Sequence, residues 1–225
     1  NDYHQNNGGK RLHLFHKLPG SPSVRFSAKK KGSRRLLVAE EKKCLRRQMN
    51  ELLHNLPVAE TAAGSSVICK TLGQLPDYHK ARRIMAFLSM PGEVDLDVFI
   101  EKALADDKEV YVPRCLDKGN MEGVRLYDLG QTVFDRYGIR TAPEGAPTCT
   151  SDVPDLLIIS GLAFDKNGCR LGRGAGFYDR FIAGARASQV VAVAFAAQIV
   201  EYVPTEPHDQ TVCRIVTEKE IIHVS

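Results

Sequence analysis

The sequence contains no tryptophan and only four methionines. No apolar run in it approaches the roughly 18 residues that a bilayer-spanning helix needs. A transmembrane helix is excluded on that ground, and no membrane partner is expected. The chain also has no Cys-x-x-Cys pair, its six cysteines (44, 69, 115, 149, 169 and 213) being scattered. That spacing argues against a zinc ribbon or a disulfide framework, and it suits a reducing compartment such as the cytoplasm. No Ser/His/Asp or Cys/His constellation can be supported from sequence, and the missing tryptophan by itself excludes nothing.

What is present points to one globular domain. The chain has 225 residues, 43% of them hydrophobic, enough for one sizeable core. The formal charge of +4 hides an asymmetry. Residues 1–35 carry nine Lys or Arg against one Asp, leaving 22 basic and 26 acidic residues for the rest. A basic face for nucleic acid is therefore not indicated outside the N-terminal arm. That arm lacks an apolar period and reads as a disordered basic leader over 1–35, followed by an α/β domain over 36–225. Its Lys/Arg/Ser content also permits an organelle-targeting reading, in which case the destination would be an organelle matrix.

The stretch from Gly161 to Asp179 carries the chemistry. A short apolar segment, Leu162-Ala163-Phe164, leads to Asp165-Lys166-Asn167-Gly168, where the Asn-Gly pair predicts a type I′ hairpin turn. The return arm, Cys169-Arg170-Leu171, runs into Gly172, Gly174 and Gly176. Alternating glycines leave backbone N–H groups open to a polyanion, and Arg170 and Arg173 can grip phosphate oxygens bidentately. Phe177 to Phe181 reads as a helix whose first N–H groups face the same way. Asp179 is placed to hold a metal that neutralises phosphate charge. The spacing fits neither the Gly-x-x-x-x-Gly-Lys phosphate loop nor the dinucleotide fingerprint, so it reads as a nucleotide-phosphate site of another kind.

Elsewhere helix and strand alternate. Leu36–Leu56 and Pro57–Leu75 have helical periodicity, the second interrupted by Gly64-Ser65-Ser66. Arg83–Ser89 and Gln189–Ala196 are apolar runs typical of buried parallel strands. Further strands are expected at Glu109–Arg114, Met121–Leu129 (a hairpin or edge strand), Asp155–Ser160, Arg214–Thr217 and Ile221–Val224, with a helix over Asp97–Ala105. The pattern predicts an α/β fold: a single domain with an open, largely parallel sheet flanked by helices on both faces.

The run Ser160-Gly161-Leu162-Ala163-Phe164-Asp165, with Arg170-Leu171-Gly172-Arg173-Gly174-Ala175-Gly176-Phe177-Tyr178-Asp179, resembles the signature of the 5-formyltetrahydrofolate cyclo-ligase (methenyltetrahydrofolate synthetase) family. The similarity covers roughly Lys42 to Val224. It implies ATP-dependent cyclisation of 5-formyltetrahydrofolate to 5,10-methenyltetrahydrofolate, with ATP as co-substrate and Mg²⁺ as cofactor. Lys42-Lys43-Cys44-Leu45-Arg46 matches the family's N-terminal helix start, which implies nucleotide contacts from Lys42 and Arg46. Nucleotide contacts are likewise implied for Arg170, Leu171, Gly172, Arg173, Gly174, Ala175, Gly176, Phe177 and Tyr178. Arg173 and Arg170 would stabilise the transferring phosphoryl group. Phe87–Leu96 matches a second family segment and implies folate contacts from Leu88, Met90 and Glu93, with Phe177 stacking on the substrate. Asp209, in His208-Asp209, would share a Mg²⁺ with Asp179. Three positions depart from the usual pattern: Ser160 for Pro, Phe177 for Tyr and Cys213 for Asp. Leu96 replaces a Thr and leaves the cap of the next helix to Asp95. A monomer is expected, with a reduced folate and ATP as partners. Two other readings stay open, a non-catalytic folate- or nucleotide-binding homologue and a phosphate-ligand isomerase or transferase on a similar sheet.

Overall fold

The computed structural model describes residues 31–186 and 190–224. An eight-stranded sheet forms its centre, in the order β12-β11-β10-β7-β1-β2-β3-β6. Five neighbouring strands are parallel: β11 (Arg214–Val216), β10 (Val190–Val193), β7 (Leu156–Ile159), β1 (Arg83–Ala86) and β2 (Glu109–Cys115). Antiparallel strands close both sides: β12 (Ile221–His223) on β11, and β3 (Met121–Leu126) with β6 (Thr148–Cys149) beyond β2. β3 pairs antiparallel with the preceding β2, the hairpin alternative expected for it, while β6 takes the edge position.

The strands are apolar on both faces, as parallel strands covered on two sides must be. Ile84, Val110, Val112, Ile158 and Val191 join one core with the helices α1 (Lys31–His54), α2 (Val58–Gln74), α3 (Pro76–Lys80) and α4 (Asp97–Ala105). The alternate residues Met85, Tyr111, Leu157, Ile159 and Val190 face a second core with Phe181 and Ile182 of α5 (Phe177–Ile182). The period of two along each strand therefore separates the two layers. In α2, Gly64-Ser65-Ser66 does not break the helix. Gly64 and Ser65 are buried, and a side-chain carbon on Gly64 would press on the Phe195 ring at 3.2 Å. The N-cap position of α4 is Leu96, which makes no side-chain cap, so the cap expected of Asp95 is not formed. Asp95 lies one residue too early, and its Oδ1 accepts from the Asp97 amide at 3.0 Å.

α1 begins at Lys31, so the last five residues assigned to the leader are helical. The rest of the leader, and the Gln189 start expected for β10, lie outside the described residues.

One local expectation is corrected. The turn between β8 (Ala163–Phe164) and β9 (Arg170–Leu171) is not type I′, because only Gly168 has a positive φ, at 78°. The physical reason is Asp165, which is fully buried. Its Oδ1 accepts from the amides of Asn167 (2.9 Å) and Cys169 (3.1 Å), and its Oδ2 from Val203 (3.0 Å). That Asx arrangement holds Lys166 and Asn167 in the ordinary negative-φ region and leaves only Gly168 left-handed. A Cβ at Gly168 would also run into the Val212 carbonyl oxygen. Gly168→Ala should therefore cost about 1–3 kcal/mol, visible as a melting temperature several degrees lower by calorimetry.

Candidate functional site

In open α/β sheets, ligands bind beyond the carboxyl ends of the strands where the strand order changes direction. Here that point is β1 beside β7, from which the sheet grows towards β2 on one side and β10 on the other. A cleft opens there with an empty volume of about 1120 Å³, counted out to solvent. Every residue singled out in the sequence lines it: Lys42, Arg46, Leu88, Met90, Glu93, Arg170, Leu171, Gly172, Arg173, Gly174, Ala175, Gly176, Phe177, Tyr178, Asp179 and Asp209.

The glycine run is held open from several directions. Gly174 has φ 113° and Gly176 φ 68°, conformations that a side chain would resist. Arg46, on α1, donates from Nε to the Gly172 carbonyl at 2.9 Å. Arg180 donates to the carbonyls of Gly119 and Ala175, tying the loop to the turn before β3. α5 follows immediately, but it is only six residues long, so its dipole adds less than the sequence suggests.

Each cationic side chain here has a carboxylate or carbonyl partner. Arg170 is 4% exposed, and it donates from Nη1 to the Ser160 carbonyl (3.3 Å) and from Nη2 to Asp179 Oδ1 (2.9 Å). Its Nε is buried with no hydrogen-bond partner among the described residues. In this arrangement Arg170 sits beneath the loop and orients Asp179. Arg173 is more exposed, and meets Glu93 Oε1 through Nε (3.3 Å) and Nη2 (3.2 Å). Lys42 is buried, with Nζ 2.6 Å from Asp209 Oδ2 and 3.2 Å from Glu206 Oε2. Lys42 holds the Glu206 carboxyl below the usual carboxylate range, chiefly by its hydrogen bond.

Asp179 and Asp209, the two expected metal ligands, line one cleft. Asp179 Oδ1 also accepts from the Gln210 amide (3.2 Å), and Asp209 Oδ2 from the Glu206 amide (2.6 Å). Each retains a second oxygen outside these bonds. Among the described residues no three His, Cys, Asp or Glu are arranged to hold a metal ion. Two carboxylates completed by phosphate oxygens and water are a donor set that suits Mg²⁺.

Leu88, Met90, Glu93 and Phe177, the residues expected to receive a folate, lie in the same lining. Leu88 is buried, Met90 donates its amide to Glu93 Oε2 at 3.0 Å, and Phe177 meets Tyr137 edge-on at 6.1 Å between centroids. Burial raises the Tyr178 phenol pKa, and the nearby Glu93 charge adds to the rise, so the hydroxyl remains protonated in the physiological range. The Cys115 thiol, also in the lining, is pushed up to about 11 by burial, which argues against a nucleophilic role.

Sequence reasoning did not single out Glu206, the second partner of Lys42, or Ser160 as a donor to Glu93 Oε1 (3.2 Å). Glu206 sits in a Pro-rich loop with nothing local to mark it. Ser160 was visible only as a departure from the family pattern.

Comparison with known proteins follows the same lines. Residues 38–218 match the model of the 5-formyltetrahydrofolate cyclo-ligase family. A mouse protein named 5-formyltetrahydrofolate cyclo-ligase is 30% identical over 193 residues, covering 80% of this chain and 95% of that one. A protein of the same name from Mycolicibacterium smegmatis is 39% identical over 146 residues, 61% of this chain and 74% of its own. The solved structure of Aquifex aeolicus 5,10-methenyltetrahydrofolate synthetase superposes with a TM-score of 0.73 at 27% identity, covering 81% of this chain and 92% of that one.

Lys42→Met tests the reading of the ion-pair cluster. Removing one partner from a buried pair costs about 3–5 kcal/mol, measurable by urea unfolding at pH 7. Because the Glu206 pKa is lowered in the fold, its stabilisation is present above the ordinary carboxylate range and is lost as pH falls through the lowered value. The stability gap between wild type and Lys42→Met should therefore narrow on acidification below about pH 4.5.

Proposed function

This chain belongs to the 5-formyltetrahydrofolate cyclo-ligase family, and we propose that it catalyses the ATP- and Mg²⁺-dependent cyclisation of 5-formyltetrahydrofolate to 5,10-methenyltetrahydrofolate, releasing ADP and phosphate. The observation that carries the proposal is the cleft at the ends of β1 and β7. There Lys42, Arg46, Arg170 and Arg173 surround a glycine loop whose backbone is open to an anion.

The chemistry asks little of protein acids and bases. The formyl oxygen attacks the γ-phosphorus and ADP leaves. N10 then attacks the activated carbon, the C–O bond breaks to release phosphate, and the N10 proton leaves with that phosphate. What the protein supplies is positioning and charge, which dominate catalysis of phosphoryl transfer. Arg173 is the mobile cation: it stands on the glycine loop and exchanges Glu93 for phosphoryl oxygens. Lys42 and Arg46 bind the nucleotide from α1. Leu171, Gly172, Gly174, Ala175 and Gly176 bring backbone against the triphosphate, and Arg170 holds that loop and Asp179 from below. Leu88, Met90 and Glu93 receive the folate, with Phe177 stacking and the protonated Tyr178 as a donor. Asp179 and Asp209 would hold the Mg²⁺, whose contribution when bound is to neutralise triphosphate charge.

The chain acts as a monomer on small-molecule partners, without nucleic acid or membrane. No described helix is long and apolar enough to cross a membrane, and no disulfide joins the described cysteines. We place it in a reducing aqueous compartment, the cytoplasm or an organelle matrix.

The direct test is to incubate the protein with 5-formyltetrahydrofolate and Mg-ATP and follow the methenyl chromophore. Nucleotide-dependent growth of that absorbance is expected, and its absence under saturating substrates would overturn the assignment. Arg173→Ala should lower kcat/KM by roughly 10²–10⁴ with melting nearly unchanged, the range for losing one contact to transition-state charge. For the metal, activity is titrated with Mg²⁺ in Asp179→Asn, Asp209→Asn and the pair. Each single variant should need more Mg²⁺, and the pair should lose less than the two effects combined, because both act on one ion. Unchanged Mg²⁺ dependence in either single variant contradicts the shared ion.

A further inference from the structure

We propose that Ser160 is a positioning residue: its hydroxyl holds Glu93 in place when Arg173 leaves that carboxylate for a phosphoryl oxygen. This rests on the activity proposed above.

The argument begins with the hydrogen bonds that Glu93 accepts. Oε1 accepts from Arg173 Nε (3.3 Å), Arg173 Nη2 (3.2 Å) and Ser160 Oγ (3.2 Å), while Oε2 accepts from the Met90 amide (3.0 Å). The Glu93 side chain is only 10% exposed, so water contributes little to its solvation. Its two side-chain partners differ in freedom. Arg173 is 40% exposed, so its long side chain has solvent into which it can turn. Ser160 follows directly on the buried strand β7, and its carbonyl is pinned by Arg170 Nη1 at 3.3 Å. Of the two, Arg173 is the one that can leave.

Glu93 holds the edge of Arg173 formed by Nε and Nη2, and we take a phosphate gripped bidentately through that edge to displace it. Engaging the ligand therefore strips a largely buried carboxylate of its ion pair, which is costly unless other donors remain. The Ser160 hydroxyl and the Met90 amide are those donors, and hydrogen bonds to a charged group are among the stronger ones. A hydroxyl at position 160 thus lowers the cost of releasing Arg173 and keeps Glu93 aimed at the cleft. Alanine there, or the proline usual in the family pattern, has no donor to offer.

The test measures the affinity of a non-hydrolysable Mg-ATP analogue by calorimetry, without folate, for the full chain and its variants. Ser160→Ala should weaken binding about tenfold, the scale of one hydrogen bond to a charge. Ser160→Thr, which keeps the hydroxyl, should stay close to wild type, and melting temperatures should barely move. In an Arg173→Ala background there is no ion pair to release, so adding Ser160→Ala should change affinity less than about twofold. Wild-type affinity in Ser160→Ala, an equal loss in the Arg173→Ala background, or Ser160→Thr as weak as Ser160→Ala would each overturn the inference. Failure of the wild type to form the methenyl chromophore would overturn the activity instead, and the binding series separates the two results.

Discussion

The ion pair of Arg170 with Asp179 underlies the rest of the site. Arg170 is nearly sealed from water, with one guanidinium nitrogen on the Ser160 carbonyl and another on the Asp179 carboxylate. It therefore ties the end of β7 to the first turn of α5, and the glycine loop leads from β9 into that turn. Asp179 in turn accepts from Gln210, which anchors the loop carrying Glu206 and Asp209. Lys42 fastens that loop to α1, and Arg46 on the same helix reaches back to the Gly172 carbonyl. The cleft is thus closed into a ring of charged contacts between segments far apart in sequence.

That ring sets the electrostatics of the ligand-free state. A cluster of unpaired cations in a half-buried cleft would be costly, and here each is balanced by a carboxylate or a carbonyl. In the proposed reaction a triphosphate would not enter a vacant positive pocket but would replace carboxylates as the partner of cations already in place. Those carboxylates would then need other partners: a divalent ion for Asp179 and Asp209, and the folate for Glu93, with Ser160 and Met90 as standing donors. On that proposal, metal, nucleotide and folate binding would be parts of one redistribution of charge.

Much of this was legible in the sequence. The run from Arg170 to Asp179 has a composition and spacing that few other tasks require, and every candidate residue taken from it lines the cleft. The apolar runs located the central strands because parallel strands are buried on both faces. Less was visible where long-range contacts override local signals. Asn167-Gly168 is the pattern of a type I′ turn, yet the buried Asp165 carboxylate selects another, and its bond to Val203 cannot be read locally. Gly64-Ser65-Ser66 weakens α2 by propensity, yet Gly64 is what allows the helix to sit against Phe195, and Ser65 Oγ accepts from the Asp95 amide. The pairing of Arg173 with Glu93, 80 residues apart, and of Lys42 with Glu206, 164 apart, leaves no trace in either neighbourhood.

Amide hydrogen exchange on the wild-type chain, with and without a saturating Mg-ATP analogue, tests the central claim that the glycine loop is the phosphate cradle. The account predicts slower exchange across residues 172–176, because backbone N–H groups left open without ligand become donors to phosphate oxygens. Unchanged exchange in that segment at full nucleotide occupancy would contradict it.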